Sequence, residues 1–272
     1  MKKYTLFFAV TAGVFYACKS NDNLPVSNTN NRVMPFNYLG STIGQIHNLA
    51  LNYAFSNVNK YGTDIIDTLV LDSLWTFANN FLIDSVPWSS SVVLSFSHEV
   101  DSAFNAVHWY DSVRNDFGTT DFIDAYYLDT ISSNVGISSL DAYFLNRIGN
   151  AILIASDSNQ LDDSLTNIGN AIGSVSTWPS PVSNAAMSTI SIAQNSLIFW
   201  TQQCPSWITS SRMLKNNPSI QGIRWDEVKA TLGADARGAA TGALIGIFFG
   251  DPLAGAGIGA VRASVFAPTP LH

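Results

Sequence analysis

The stretch GAATGALIGIFFG, residues 238–250, places glycine at positions 238, 242, 246 and 250 in a run without a charged residue. On a helix, residues four apart lie nearly above one another, so Gly238, Gly242, Gly246 and Gly250 would form one flat strip of bare backbone. Each glycine inside a helix costs roughly 0.5–1 kcal/mol relative to alanine. That loss makes sense where a second helix approaches closely enough to recover it by van der Waals contact. The partner is next in the chain: Asp251-Pro252 breaks the run, and LAGAGIGAVRASVF (253–266) brings Gly255, Gly259 and Ala263 at the same spacing. The expectation is a glycine-zipper helical hairpin over 234–266. Small residues face inward, and Leu244, Ile245, Phe248, Phe249, Ile258 and Val261 flank them.

Thirteen residues at the α-helical rise reach about 20 Å, short of the roughly 30 Å hydrocarbon core of a bilayer. Three placements stay open on sequence: a hairpin packed on the rest of its domain, one in contact with a membrane, with Asp251 at one end and Asp235, Arg237 and Arg262 at the other, and one that self-associates between molecules.

Upstream, the rest of the chain reads as mostly α, a helical bundle. STIGQIHNLALNYAFSNV (41–58) puts Ile43, Ile46, Leu49, Ala50 and Tyr53 at helical spacing, and DIIDTLVLDSLWTFANNFLID (64–84) does so with Ile66, Leu69, Val70, Leu74 and Phe77. Two further helices are expected between 96 and 130. SSLDAYFLNRIGNAILIA opens on a start resembling a capping box at Ser138-Ser139-Leu140-Asp141, and SNQLDDSLTNIGNAIGSV follows as its antiparallel partner. TWPSPVS (177–183) is a stop with two prolines, and SNAAMSTISIAQNSLIFWTQQ (183–203) is a helix rich in small residues. These elements give an acidic helical bundle over 37–183, a helical segment with tryptophan and basic residues over 184–233, the hairpin, and a tail over 267–272.

The N-terminus carries an address. Met1-Lys2-Lys3 is followed by the apolar run YTLFFAVTAGVFYA and then Cys18, which makes 1–17 a signal peptide too short to remain as a span. Phe15-Tyr16-Ala17-Cys18 resembles a bacterial lipobox, which implies a lipoprotein with Cys18 acylated by palmitate-type chains. Several chains on one residue give stable anchoring, each buried methylene contributing about 0.8 kcal/mol. Lys19 after the cysteine resembles the enterobacterial pattern that permits transfer to the outer membrane. Residues 18–36, Asn-rich and broken by proline, read as a flexible tether. With Cys18 acylated, Cys204 has no partner for a disulfide within the chain.

Across its 272 residues the chain is 47% hydrophobic and only 12% charged, with a net charge of −7; soluble domains usually carry about 25% charged residues. Acidic residues dominate between 60 and 163, whereas the basic Arg212, Lys215, Arg224, Lys229 and Arg237 lie just ahead of or at the glycine run, where they could meet anionic lipid. Net charge and export argue against nucleic acid as a partner.

Chemistry is sparse. His98-Glu99 starts like a zinc-protease helix, but Ser102 stands where the second ligand belongs, and no phosphate loop, nucleophile elbow or calcium loop is present. No catalytic residue, metal or cofactor is indicated. His47 with Asn48 is the candidate polar site, read as a satisfied structural histidine on a partly apolar face. An enzyme would need His47, His98, His108 and acidic residues to converge. Trp200 and Trp207 read as core or interfacial anchors.

The lipobox, Gly44-x-x-His47-Asn48-x-x-Leu51-x-Tyr53, Ser196-x-x-x-Trp200 followed by Trp207, and Ala234-Asp235-x-x-Gly238-Ala239 together resemble a group of uncharacterised secreted bacterial proteins. The zipper with its lipid anchor is similar to glycine-zipper surface lipoproteins of Gram-negative envelopes. That resemblance implies a role in envelope integrity or as a surface antigen, and neither group implies a reaction. The functional expectation is a lipid-anchored cell-envelope protein of structural or interaction type. The alternative is a membrane-active hairpin protein, bacteriocin-like or pore-forming.

Overall fold

The computed structural model describes residues 37–58, 68–85, 94, 97–98, 139–175, 180–203 and 224–266. The signal peptide, Cys18, the tether, most of the expected helices between 96 and 130, Cys204, Trp207, Arg212, Lys215 and the tail lie outside the described residues. Among the described residues the fold is all helical: α1 (Asn37–Val58), α2 (Thr68–Ser85), α3 (Ser139–Ile154), α4 (Ser158–Gly173), α5 (Ser180–Ile198) running into a π-helical turn (Phe199–Gln203), α6 (Trp225–Phe249) and α7 (Pro252–Phe266). The bundle is mostly α, as its periodicity indicates.

The hairpin sits at the centre. Every residue of α6 from Thr231 to Gly246 and of α7 from Ala254 to Val265 is buried. A helix apolar on all sides belongs in a core or a membrane; no helix among the described residues is long and apolar enough to cross a membrane. α7, α5 and α3 cover α6, while α1, α5 and α2 cover the outer side of α7.

The glycines set how close the two helices come. A Cβ on Gly242 would fall on the backbone carbonyl of Gly255, and one on Gly255 would fall on the carbonyl of Gly242. Gly238 and Gly259 are related in the same reciprocal way, and a Cβ on Gly246 would lie 2.5 Å from the carbonyl oxygen of Asp251. Each turn along α6 is thus matched by one turn back along α7. Beside the strip, Ala239, Ala243, Ala256 and Ala260 form a second row of small residues against Ile43 and Ile192.

Gly250 departs from the expected strip. It has φ +80° with nothing near the place of a Cβ, so it is a turn residue rather than a packing one. Its N–H donates to Ile247 and that of Asp251 to Gly246, the paired pattern that closes a helix on a left-handed glycine. Asp251 then caps α7, Oδ1 accepting from Ala254 N at 3.0 Å, with Pro252 in the first helical position. Gly-Asp-Pro therefore ends one helix and starts the next within three residues.

Several boundaries and faces differ from the sequence reading. α6 begins at Trp225, nine residues ahead of 234, because the acidic Asp226 and Glu227 suit a helix start. α5 begins at Ser180, since Pro181 is tolerated in a first turn. On α1 the buried stripe is Ile43, His47, Ala50, Leu51, Ala54 and Phe55, while Leu49 and Tyr53 are about two-fifths exposed. Two polar residues within that stripe, His47 and Asn48, rotate the true face away from the hydropathy pattern. On α4 one stripe, Leu161, Leu165, Ile168 and Ile172, is buried, and Asp157 caps the helix by accepting from Gln160 N at 2.9 Å.

The basic stretch is dispersed. Arg237 is buried, and Lys229 reaches the Leu153 carbonyl at 3.3 Å beside the Trp225 indole, which donates to Ala155 O at 2.7 Å. Both satisfy carbonyls left open at the C-terminus of α3.

Gly242→Ala should destabilise the protein by about 1–3 kcal/mol or more, because the new methyl meets backbone that cannot turn aside. Gly173→Ala, where a Cβ meets nothing within 4 Å, should be neutral or stabilise by about 0.5–1 kcal/mol. Urea unfolding of the two variants checks the contrast; equal effects would contradict the close approach.

Candidate functional site

At the open end of the hairpin, one turn beyond the Gly238–Gly259 contact, the register brings Asp235 of α6 beside Ser264 of α7. Their side chains are joined by a short hydrogen bond, Ser264 Oγ to Asp235 Oδ1 at 2.5 Å. α1 lays His47 on this pair, with Nε2 at 2.7 Å from Ser264 Oγ. α5 contributes Trp200, whose indole N–H donates to Asp235 Oδ2 at 2.6 Å. Four helices thus converge on one buried carboxyl group.

Local features set each group in place. Trp200 lies in the π-helical turn, packed edge-on against Phe199 with ring centroids 4.8 Å apart, and both touch Phe55 of α1. Gly44 lets α1 cross α5 closely, since a Cβ there would run into Ser191 and Asn195. Asn48, one residue past His47, donates through Nδ2 to the Asn195 carbonyl at 2.9 Å, so its Oδ1 faces His47 Nδ1 at 3.0 Å.

His47, Asp235, Ser264 and Trp200 are each fully buried. Burial pushes the Asp235 carboxyl up from its ordinary range, while His47, Ser264, Trp200 and Ser196 pull the other way. Burial likewise pushes the imidazole of His47 down, against the opposing effects of Asp235 and Asn48. Nε2 and Oδ2 are 4.0 Å apart, so imidazole and carboxyl communicate through Ser264 rather than by direct contact. A unit pair at that distance gains ~4 kcal/mol at an effective dielectric of 20, less than the several kcal/mol needed to desolvate each of two ions. Burial therefore works against the charged pair.

Serine, histidine and aspartate together suggest a hydrolase, and the geometry argues otherwise. In a nucleophilic triad the imidazole stands between hydroxyl and carboxylate. Here the hydroxyl stands in the middle, Nδ1 is given to Asn48, and Ser264 Oγ, sealed from solvent, also lies 3.0 Å from the Ala260 carbonyl. The arrangement can hold helices together and hold a proton; it offers no path for a substrate to the hydroxyl.

Of the residues singled out in sequence, His47 and Asn48 lie in this cluster, Gly238 and Gly259 bound it on one side, and Gly242, Gly246 and Gly255 continue the same contact toward the turn. His98 is exposed, whereas the cluster is fully buried, and His108 lies outside the described residues. Among the described residues no group of three metal-binding side chains occurs. Asp235 and Ser264 had one legible signal: an acid and a hydroxyl inside helices otherwise lacking a polar face.

Ser264→Ala removes the shared partner and leaves His47 Nε2 and Asp235 Oδ1 without one. It should cost at least about 2 kcal/mol, because buried polar groups lose their bonds while little volume is lost. Chemical denaturation checks this, and a change within about 0.5 kcal/mol, typical of surface substitutions, would remove the cluster's structural role. Comparison of the chain with protein-family models, with curated proteins and with solved structures finds no match, so a functional reading rests on the chain's own residues.

Proposed function

We propose that the chain is a lipid-anchored protein of the bacterial cell envelope, structural or interacting in type. Acylated Cys18 would hold it to a membrane, the outer membrane by the Lys19 pattern, and residues 19–36 would let the helical domain stand away from the lipid. The apolar run ending in Ala17-Cys18 supports the anchor. One observation carries the rest of the reading: the glycine hairpin, the most membrane-like segment of sequence, is enclosed by helices of its own chain. Its burial from Thr231 to Gly246 and from Ala254 to Val265 supports the role of a rigid core on which outward-facing helices are displayed. The buried polar cluster, closed to substrate, favours assembly over catalysis.

The membrane-active alternative requires the hairpin to leave this core and give up α1, α2, α3 and α5 as its cover. Two measurements on the full chain distinguish the readings. Radiolabelled palmitate should enter the wild-type protein in bacterial cells and not Cys18→Ala; equal labelling, or none in either, would contradict the anchor. Purified full-length protein added to anionic vesicles should release no entrapped dye, and dose-dependent leakage would establish the rival.

A further inference from the structure

The hydrogen bonds around His47 restrict how many protons the cluster can hold. Asn48 is oriented by the Asn195 carbonyl, so its Oδ1 is an acceptor toward His47, and Nδ1 must carry hydrogen. Nε2 then faces Ser264 Oγ at 2.7 Å, and that hydroxyl faces Asp235 Oδ1 at 2.5 Å. A serine hydroxyl has one hydrogen to give.

If imidazole is neutral and carboxylate ionised, Ser264 confronts two acceptors with a single hydrogen, and either His47 Nε2 or Asp235 Oδ1 is left without it. With one more proton every bond closes. Asp235 Oδ1–H donates to Ser264 Oγ, Ser264 O–H donates to His47 Nε2, Nδ1–H donates to Asn48, and the Trp200 indole donates to Oδ2. Moving two hydrogens along the chain converts this form into imidazolium and carboxylate with the same proton count. A further proton leaves an imidazolium buried without a counter-ion.

We infer that His47, Ser264 and Asp235 form a proton-locked latch: imidazole and carboxyl are both uncharged in the folded protein, sharing one proton through the hydroxyl, and losing it in alkaline solution weakens the docking of α1 on the hairpin. Burial acts on both groups in the direction this requires, raising Asp235 and lowering His47. Among the described residues the charges that act on His47 and Asp235 are each other's; α5 brings no ionisable group, α1 adds only Tyr38 and the exposed Tyr53, Arg262 of α7 lies over the Trp75 ring of α2 at 4.7 Å, and Arg237 of α6 is two positions, and so half a turn, away from Asp235.

The pH dependence follows from proton counts. Asp235 is raised in the fold, so its contribution is whole below the unfolded carboxyl value of 3.8 and is lost as pH rises toward the folded one. His47 is lowered, so its contribution is whole above the unfolded value of 6.5 and is lost as pH falls. Between those values the folded and unfolded pair each bind one proton and the two trends cancel. Above 6.5 the unfolded chain binds none and the fold keeps one, so stability declines.

Asp235→Asn mimics the protonated carboxyl, its amide donating to Ser264 and its carbonyl accepting from Trp200. In urea unfolding of the full chain from pH 5 to 9, the ratio of wild-type to Asp235→Asn folding constants should fall tenfold per pH unit. A ratio independent of pH overturns the latch, as does failure of Asp235→Asn to fold at pH 8, since its hydrogen bonds duplicate those of the inferred state. Nitrogen NMR of the wild-type chain at pH 7, with the His47 signal assigned by its loss in His47→Gln, reads the proton directly. Hydrogen on Nδ1 and none on Nε2 is expected; an imidazolium, or hydrogen on Nε2, overturns the inference.

Discussion

Two helices in this protein touch backbone to backbone, and the rest of the bundle is arranged around that contact. At Gly242 and Gly255 each helix occupies the space where the other would place a side chain. Such an approach needs glycine at matched turns of both helices, a connection tight enough to keep them in phase, and cover on all remaining sides, because a Gly- and Ala-rich pair buries little apolar surface by itself. The chain meets these needs with Gly250-Asp251-Pro252 as the connection and with α1, α2, α3 and α5 as cover. Helix propensity is sacrificed along α6, and contact with α7 restores it.

A four-residue repeat has a weakness that the polar cluster corrects. Sliding α7 by one turn along α6 would again set glycine against glycine, so small-residue packing alone defines the register poorly. The short turn opposes such a slip at one end of the hairpin, and the Ser264–Asp235 bond opposes it at the other. Trp200 and His47 bond to the same two groups, so the register of the hairpin and the docking of α1 and α5 are set together. Buried polar groups are weak sources of net stability, and fixing one arrangement among near-equals is the use for which they are best suited.

Much of this architecture was legible in the chain itself. Glycine spacing identified 253–266 as the partner of 238–250, because spacing of four has one geometric meaning on a helix, and Asp-Pro marked the break. Gly250 was misread as a member of the strip, since spacing does not distinguish the last packing glycine from a left-handed cap. The face of α1 was misassigned for an opposite reason: its buried stripe runs through His47, and hydropathy cannot place a polar residue in a core. Asp235 and Ser264 stayed hidden because their partner is distant in sequence; His47 and Ser264 are 217 positions apart. Such pairing depends on the packing order of four helices, which no local pattern encodes.

Amide hydrogen exchange of the native full-length chain tests the central claim most directly. If α6 and α7 hold one another at their glycines inside the bundle, the amides of residues 242–246 and 258–262 should exchange only through global unfolding, with the slowest rates among the described helices. Exchange there as fast as on the exposed face of α4, under conditions where the protein remains folded, would show that the hairpin opens independently and would contradict the account.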